Sequence, residues 1–303
     1  MLNCNIPDSN DNSLITDSSG FLSIILLMRD HESFIEDSLE SILREFKSGI
    51  PIIIVDVGSV DNGLEIARNI LSKHFTFFQI VSLSRNTRTL KVLEEIQNKI
   101  KSKYAVLLSS DDVLGLNYGL VAMKLAKESI ENCNYNFKLV VTDEDLSPQK
   151  LQNPKWLKRR IFNKLILSIM NPGTAPGALL HWPTVRYVFD NFEVPDILIE
   201  DYWLWWHLIK FSNFKNISET TVLYRKHGNN LSKSRFSQEY AFSLGAVSAT
   251  AWSVNFNPFY GLLSLIFLPR WLKYLHFSMW PFYCKGYIYG FQFRGKSKHI
   301  KHL

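Results

Sequence analysis

The sequence predicts an α/β fold built on a mostly parallel central sheet. Short, continuous apolar runs alternate with amphipathic segments of helical period, each run stops at polar and acidic residues, and no internal repeat or low-complexity segment competes with this pattern in the 303 residues. Apolar runs of this kind suit strands covered on both faces, which is what alternating strands and crossover helices require.

The first strand is expected over residues 21–28 (FLSIILLM), ending at Arg29, Asp30, His31 and Glu32. Ser33, with Glu36 three residues later, predicts a capping box ahead of a helix whose Ile35, Leu39, Ile42, Leu43 and Phe46 share one side. Residues 50–55 (IPIIIV) predict a second strand, followed by Asp56, Val57, Gly58, Ser59 and a helix over 61–71. A strand over 76–82, a helix over 89–101 and a strand over 104–108 continue the alternation. A helix over 116–129 and a strand over 137–141 follow, after which the pattern weakens. Right-handed crossovers carry every strand's polar loop to one edge, so Arg29, Asp30, Asp56 and Asp111 should converge although they are far apart in sequence.

The stretch YAVLLSSDDVL (104–114) is the centre of this arrangement, because its apolar run delivers Asp111 and Asp112 to that edge. Hard divalent cations such as Mg²⁺ or Mn²⁺ take carboxylate oxygens together with substrate phosphates, so the pair suits a metal-bound diphosphate. A solvated turn with Asp111 capping the next helix is the alternative for the pair taken alone.

The net charge of +6 is uneven: after Glu239 there is no Asp or Glu, but there are seven Lys or Arg (Arg270, Lys273, Lys285, Arg294, Lys296, Lys298, Lys301). Without that tail, 27 bases face 28 acids, so the body gives no argument for nucleic acid binding. Cys4, Cys133 and Cys284 lie far apart with no paired metal-ligand spacing or disulfide framework, which points to a reducing compartment. Residues 1–20 lack the basic start and apolar core of a signal peptide and are expected to form a disordered leader. From Trp252 to Phe293, Trp, Tyr and Phe are mixed with scattered bases. The longest apolar run there, residues 259–269, is shorter than the ~20 residues a spanning helix needs. Residues 236–303 are therefore expected to form a helical extension that docks on an anionic membrane surface, the alternative being a layer packed on the main domain.

Several stretches, taken together, resemble the family 2 glycosyltransferases. SIILLMRDHESFIEDSLESIL, IIIVDVGSVDNGLEIA, YAVLLSSDDVL, APGALLHWPTVRYVF, IEDYWLWWHLIK and VLYRKHGNNLS follow that family's order and approximate spacing over about residues 21–232. The resemblance implies a GT-A fold, the Rossmann-like fold of nucleotide-diphospho-sugar transferases, over residues 21–235. It further implies inverting transfer of a sugar from a nucleotide-diphosphate donor to a carbohydrate, lipid-linked acceptor. Surface polysaccharide or lipopolysaccharide assembly at the cytosolic face of a bacterial plasma membrane is the setting it suggests.

Carried over residue by residue, the resemblance gives Asp56 contact with the donor base, where an acceptor-only carboxylate suits the ring N–H of uracil, thymine or guanine. Asp30 and Ser109 fall on the same donor side. Asp111 matches the last acid of the DxD element and Asp112 the acid that frequently follows it, both as ligands of Mn²⁺ or Mg²⁺, while Ser109 stands where the first acid is usual. His227 is implied to reach the metal or diphosphate, with Arg225 as a phosphate partner. Asp201 is implied as the base that deprotonates the acceptor and Glu200 as its support; an acidic first turn complementing a helix dipole is the alternative for that pair. Gly173 and Thr174 fall where acceptor-side contacts lie, and Trp203, like Trp205 and Trp206, could stack on sugar rings or pack in the core. Two other classes compete. A nucleotidyltransferase would normally carry a Gly-rich basic loop after the first strand, which MRDHES lacks, and a non-catalytic membrane-docking protein could retain the fold.

Overall fold

The computed structural model describes residues 20–129, 131–158, 160–228, 230, 237–255, 263 and 277–292. The expected leader, save its last residue, and the tail over 256–262, 264–276 and 293–303 lie outside the described residues. With them lie all the tail bases except Lys285.

The first apolar run is β1 (Leu22–Met28), flanked in parallel by β2 (Ile52–Asp56) and β4 (Tyr104–Ser109), with β3 (Phe78–Ser82) parallel to β2. The other strands are β5 (Val113–Leu114), β6 (Cys133–Thr142), β7 (Pro148–Gln152), β8 (Ala178–His181) and β9 (Asn213–Arg225). They complete a nine-stranded sheet in the order β3-β2-β1-β4-β8-β6-β9-β5, with β7 on β6. β8 is antiparallel to β4, whereas β9 is parallel to β6. The expected GT-A class, a mixed α/β fold with a mostly parallel curled sheet and C-terminal helices, is what the chain adopts.

Two apolar layers cover the sheet, and strand periodicity sorts side chains between them. Leu22, Ile24, Leu26 and Met28 face α1 (Ile35–Phe46), α2 (Gly63–His74) and α4 (Tyr118–Glu128). Ile25 faces the opposite layer with α3 (Thr89–Ile96), α6 (Trp182–Asn191) and α7 (Glu200–Phe211). A short helix, α5 (Arg160–Leu167), packs on α7.

Register fixes the site edge. Met28 pairs with Asp56 and Leu27 with Ser109, so the loops after β1, β2 and β4 leave the sheet side by side. β5 then runs antiparallel to the end of β9, Val113 opposite Leu223, which carries residues 111–112 to the turn after Arg225. No periodicity in the sequence announces that two-residue strand.

Local expectations needed adjustment in several places. The Ser33/Glu36 capping box does not form. Helix α1 starts at Ile35 without a side-chain cap, and the His31 carbonyl accepts the N–H groups of Phe34 (3.0 Å) and Ile35 (2.9 Å) instead. The strand expected over 137–141 begins four residues earlier, at Cys133, because its buried asparagines are satisfied. Asn134 bonds Ser212 Oγ (2.6 Å), and Asn136 donates to the Thr174 carbonyl (2.5 Å) and accepts from Trp156 Nε1 (2.6 Å). The helix expected over 89–101 ends at Ile96.

The described part of the extension packs on the domain. Helices α8 (Gln238–Asn255) and α9 (Trp280–Gln292) place Leu244, Val247 and Tyr283 in the same apolar layer as α7. Gly245, Gly286 and Gly290 let the pair cross closely, since a Cβ on Gly286 would strike the Phe242 carbonyl and one on Gly245 the Tyr283 carbonyl. Among the described residues no helix is long and apolar enough to cross a membrane.

Candidate active site

A cavity of about 730 Å³ opens where the carboxyl ends of β1 and β4 meet the first turn of α7. Asp30, His31, Ser109, Asp111, Asp112, Glu200 and Asp201 all line it, so a single space joins residues from the front half of the chain to the acidic pair near position 200.

On one flank, Asp30 adopts φ 55°, a left-handed turn that tucks its carboxylate toward the next strand's loop. Its Oδ1 accepts from the Val60 N–H (2.9 Å) and Arg85 Nη1 (3.0 Å), while its own N–H donates to Ser59 Oγ (3.0 Å). Arg85 Nη1 also donates to the Gly58 carbonyl (2.8 Å), at a glycine with φ 66° where a Cβ would sit 2.7 Å from the Arg85 backbone nitrogen. The bond from Arg85 holds the Asp30 carboxyl below the usual carboxylate range. Asp30 thus clamps three loops together. Asp56, read as the base contact, is buried at the end of β2; its Oδ1 accepts from the Ser59 N–H (3.1 Å), and Val57 rather than Asp56 lines the cavity.

On the floor, Asp111 is the hub. Its Oδ2 is 2.9 Å from His227 Nε2 and accepts from Asn230 Nδ2 (3.2 Å). Its Oδ1 lies 3.8 Å from His31 Nδ1 and is a buried oxygen with no hydrogen-bond partner. One ligand atom each from His31, Asp111 and His227 falls within 4.8 Å of the others. Burial alone would raise the Asp111 carboxyl, but the His227 hydrogen bond, the His31 field and Ser109 outweigh it and keep the group below the usual range. Burial pushes the His31 imidazole down, toward its neutral, lone-pair-bearing form. Two imidazoles and an ionised carboxylate with an unsatisfied oxygen form a donor set that fits a divalent cation. His31 escaped the sequence reading because a histidine after a strand carries no signal of its own.

Two expected ligands are used differently. Asp112 lines the cavity, yet its Oδ1 accepts the Arg225 N–H (3.1 Å), and burial beside the charged Asp111 pushes its carboxyl well above the usual range. It falls outside the three-residue set whose ligand atoms converge, and its Oδ1 is taken by the Arg225 backbone. Arg225, read as a phosphate partner, is buried and ties loops together. Its Nε donates to the Asp111 carbonyl (3.1 Å), Nη1 to the Glu144 carbonyl (2.9 Å) and Nη2 to Asp37 Oδ2 (2.7 Å). It braces the metal-side loop from behind and does not line the cavity.

On the far wall, Asp201 Oδ2 accepts from Asn171 Nδ2 (2.7 Å) and Oδ1 from the Tyr202 N–H (2.8 Å), which orients the carboxylate at the start of α7. Burial, and then the Asp201 charge, pushes the Glu200 carboxyl up to about 7. Trp203 is buried against the His207 ring at 4.0 Å and is absent from the cavity wall, whereas Trp205, one helical turn from Asp201, lines it. The acceptor-side loop is shifted likewise. Thr174 is buried with its hydroxyl on the Phe137 carbonyl (2.8 Å), Gly173 packs beneath Trp205, and Ala175 and Pro176 form the wall.

Residues 23–165 match the family described as "Glycosyl transferase family 2". Among solved structures, the S. aureus protein TarS, residues 1–349 in complex with UDP-GlcNAc, superposes with a TM-score of 0.69 at 12% identity, covering 90% of this chain and 81% of that one. The mannosyltransferase PcManGT from Pyrobaculum calidifontis, in complex with GDP-Man and Mn²⁺, gives 0.56 at 13% identity, covering 90% and 74%. No curated protein sequence matches the chain.

Proposed function

We propose that this chain, whose residues 23–165 match the glycosyl transferase family 2 model, moves a sugar from a nucleotide-diphosphate donor to a carbohydrate hydroxyl with inversion. The observation that carries this reading is one cavity with His31 and Asp111 on the floor, His227 set against Asp111 behind it, and Asp201 at the start of α7 on the wall. Cleavage of a sugar–diphosphate bond needs charge stabilisation on the leaving side and a base on the acceptor side. This chain provides a residue set for each.

In this mechanism His31, Asp111 and His227 would hold the cation, Mn²⁺ or Mg²⁺ by the expectation above. The chemistry such a cation would supply is stabilisation of the negative charge that builds on the departing diphosphate. Asp201, held by Asn171, accepts the proton of the acceptor hydroxyl. That oxygen bonds to the anomeric carbon as the bond to the diphosphate breaks, and the diphosphate leaves with the bonding electrons. Glu200, whose carboxyl burial and the Asp201 charge push up to about 7, lets Asp201 carry the charge of the pair near neutral pH. The Asp30–Arg85 clamp shapes the nucleotide side. TarS with UDP-GlcNAc and PcManGT with GDP-Man are the precedents for a nucleotide-sugar donor on this fold.

The same reading includes a lipid-linked acceptor in surface polysaccharide or lipopolysaccharide assembly, at the cytosolic face of a bacterial plasma membrane. The acid-free, basic tail supports it, as do exposed Trp280, Lys285 and Ile288 on α9. Sedimentation with anionic vesicles, compared with neutral ones, tests that part.

The test of the central reading is calorimetric titration with UDP, GDP and dTDP, each with and without Mn²⁺, repeated on Asp111→Ala. Metal-dependent binding of one nucleotide, lost in the variant, is the expected outcome. Folded protein that binds none of the three would overturn it.

A further inference from the structure

We propose that the cation site is complete before the nucleotide arrives. His31 Nδ1, the Asp111 carboxylate and His227 Nε2 together bind a borderline cation of the Mn²⁺ class ahead of Mg²⁺, and His31 supplies the ligand that Ser109 does not. This inference rests on the functional reading above for what the cation does, but not for whether it binds.

A single carboxylate at the end of β4 would hold a cation weakly until a diphosphate supplied the remaining oxygens. Here three ligand atoms come from three separate chain segments, after β1, β4 and β9, and already lie within 4.8 Å of one another. Each is fixed by contacts of its own. The His31 carbonyl accepts the first N–H groups of the α1 turn, which fixes the backbone behind the ring, and Ser110 Oγ, 2.8 Å from Nδ1, occupies the position that a cation would take over. The His227 N–H donates to Asn230 Oδ1 (2.6 Å), and Asn230 returns a bond from its Nδ2 to Asp111. Phe34 packs against both imidazoles, with ring centroids 6.1 Å from His31 and 4.7 Å from His227, and the two imidazoles meet edge to face at 5.6 Å. Such support lowers the reorganisation needed to bind a cation.

The second observation is Asp111 Oδ1, buried and without a hydrogen-bond partner on the side that faces His31. A buried carboxylate oxygen left bare is costly unless something positive meets it. The donor chemistry then selects the cation. Mg²⁺ prefers oxygen and keeps its waters, whereas two imidazoles and one carboxylate suit Mn²⁺, Fe²⁺, Co²⁺ or Zn²⁺. A dication against one ionised ligand also keeps a net positive charge to meet a diphosphate.

The experiment is Mn²⁺ titration of nucleotide-free protein, followed by the electron paramagnetic resonance signal of free Mn²⁺, with Mg²⁺ as competitor. One Mn²⁺ per chain is expected without nucleotide, displaced only by a Mg²⁺ excess of about 100-fold or more. His31→Ala should weaken Mn²⁺ binding about 10- to 100-fold, and His31→Gln, which keeps the volume, should do the same with an unchanged melting curve. Equal Mn²⁺ affinity in a folded His31 variant overturns the proposal, as does equal affinity for Mg²⁺. Binding of Mn²⁺ only when UDP, GDP or dTDP is present overturns it while leaving the glycosyltransferase reading intact. Binding of Mn²⁺ alone, with no nucleotide bound at saturating metal, supports this inference and defeats that reading instead.

Discussion

Glu200→Gln should change how stability depends on pH, and the size of the effect follows from the site. The Glu200 carboxyl is pushed from its ordinary 4.5 up to about 7 by burial and the neighbouring Asp201 charge. Between those values the folded state holds a proton that the unfolded chain has released, so raising the pH through this window costs stability. At about 1.4 kcal/mol per pH unit, the interval corresponds to about 3 kcal/mol, present in full below the lower value and lost once the pH passes the higher one. Gln keeps the shape and cannot ionise. Urea unfolding of both proteins at pH 5, 6, 7 and 8 should therefore show the variant gaining about 2.5 kcal/mol on the parent between pH 5 and pH 8, since pH 5 already lies above the lower value. Titrations common to both proteins cancel in that difference. A difference that stays flat within ~0.5 kcal/mol across the series would show that Glu200 is ionised throughout, and the acid–base division within the pair would fall with it.

Asp201→Asn should lower release of nucleoside diphosphate from the sugar donor by about 10²- to 10⁴-fold while nucleotide affinity in calorimetry stays within about twofold, as a base role without donor contact requires. Asn171→Ala removes the bond that orients Asp201; steady-state kinetics should show kcat about tenfold lower with the donor KM unchanged, the pattern of a misplaced base. Arg225→Met leaves the Asp111 and Glu144 carbonyls without their donor, at about 1–3 kcal/mol each, so its urea midpoint should fall markedly. An unchanged midpoint with weakened nucleotide binding would return Arg225 to the phosphate role. Gly286→Val forces the crossing of α8 and α9 apart, and a loss of about 1–3 kcal/mol in the same unfolding assay is expected.

Much of this molecule was legible in the sequence because the relevant signals are local. Continuous apolar runs bounded by polar turns gave β1, β2 and β4, and with them the edge to which Asp30, Asp56, Ser109 and Asp111 belong. Helical periodicity gave the buried side of α1, though not its start, since a backbone carbonyl caps it where a side chain was expected. The acidic start of α7 was equally plain, but the all-round burial of Tyr202–Ile209 hid which tryptophan reaches the cavity.

What the chain order by itself determined is the α/β alternation, the edge that carries the polar loops, and the residue types able to bind a cation or take a proton. Tertiary structure decided how those residues divide the work. The short pairing of β5 with β9 sets Asp111 against His227, and the turn into α1 sets His31 against Asp111. That same pairing gives the Asp112 carboxyl to the Arg225 backbone and the guanidinium to loop carbonyls. Ionisation and ligation depend on distances between segments tens to hundreds of residues apart and on the water excluded between them, and neither is encoded in any one stretch of sequence.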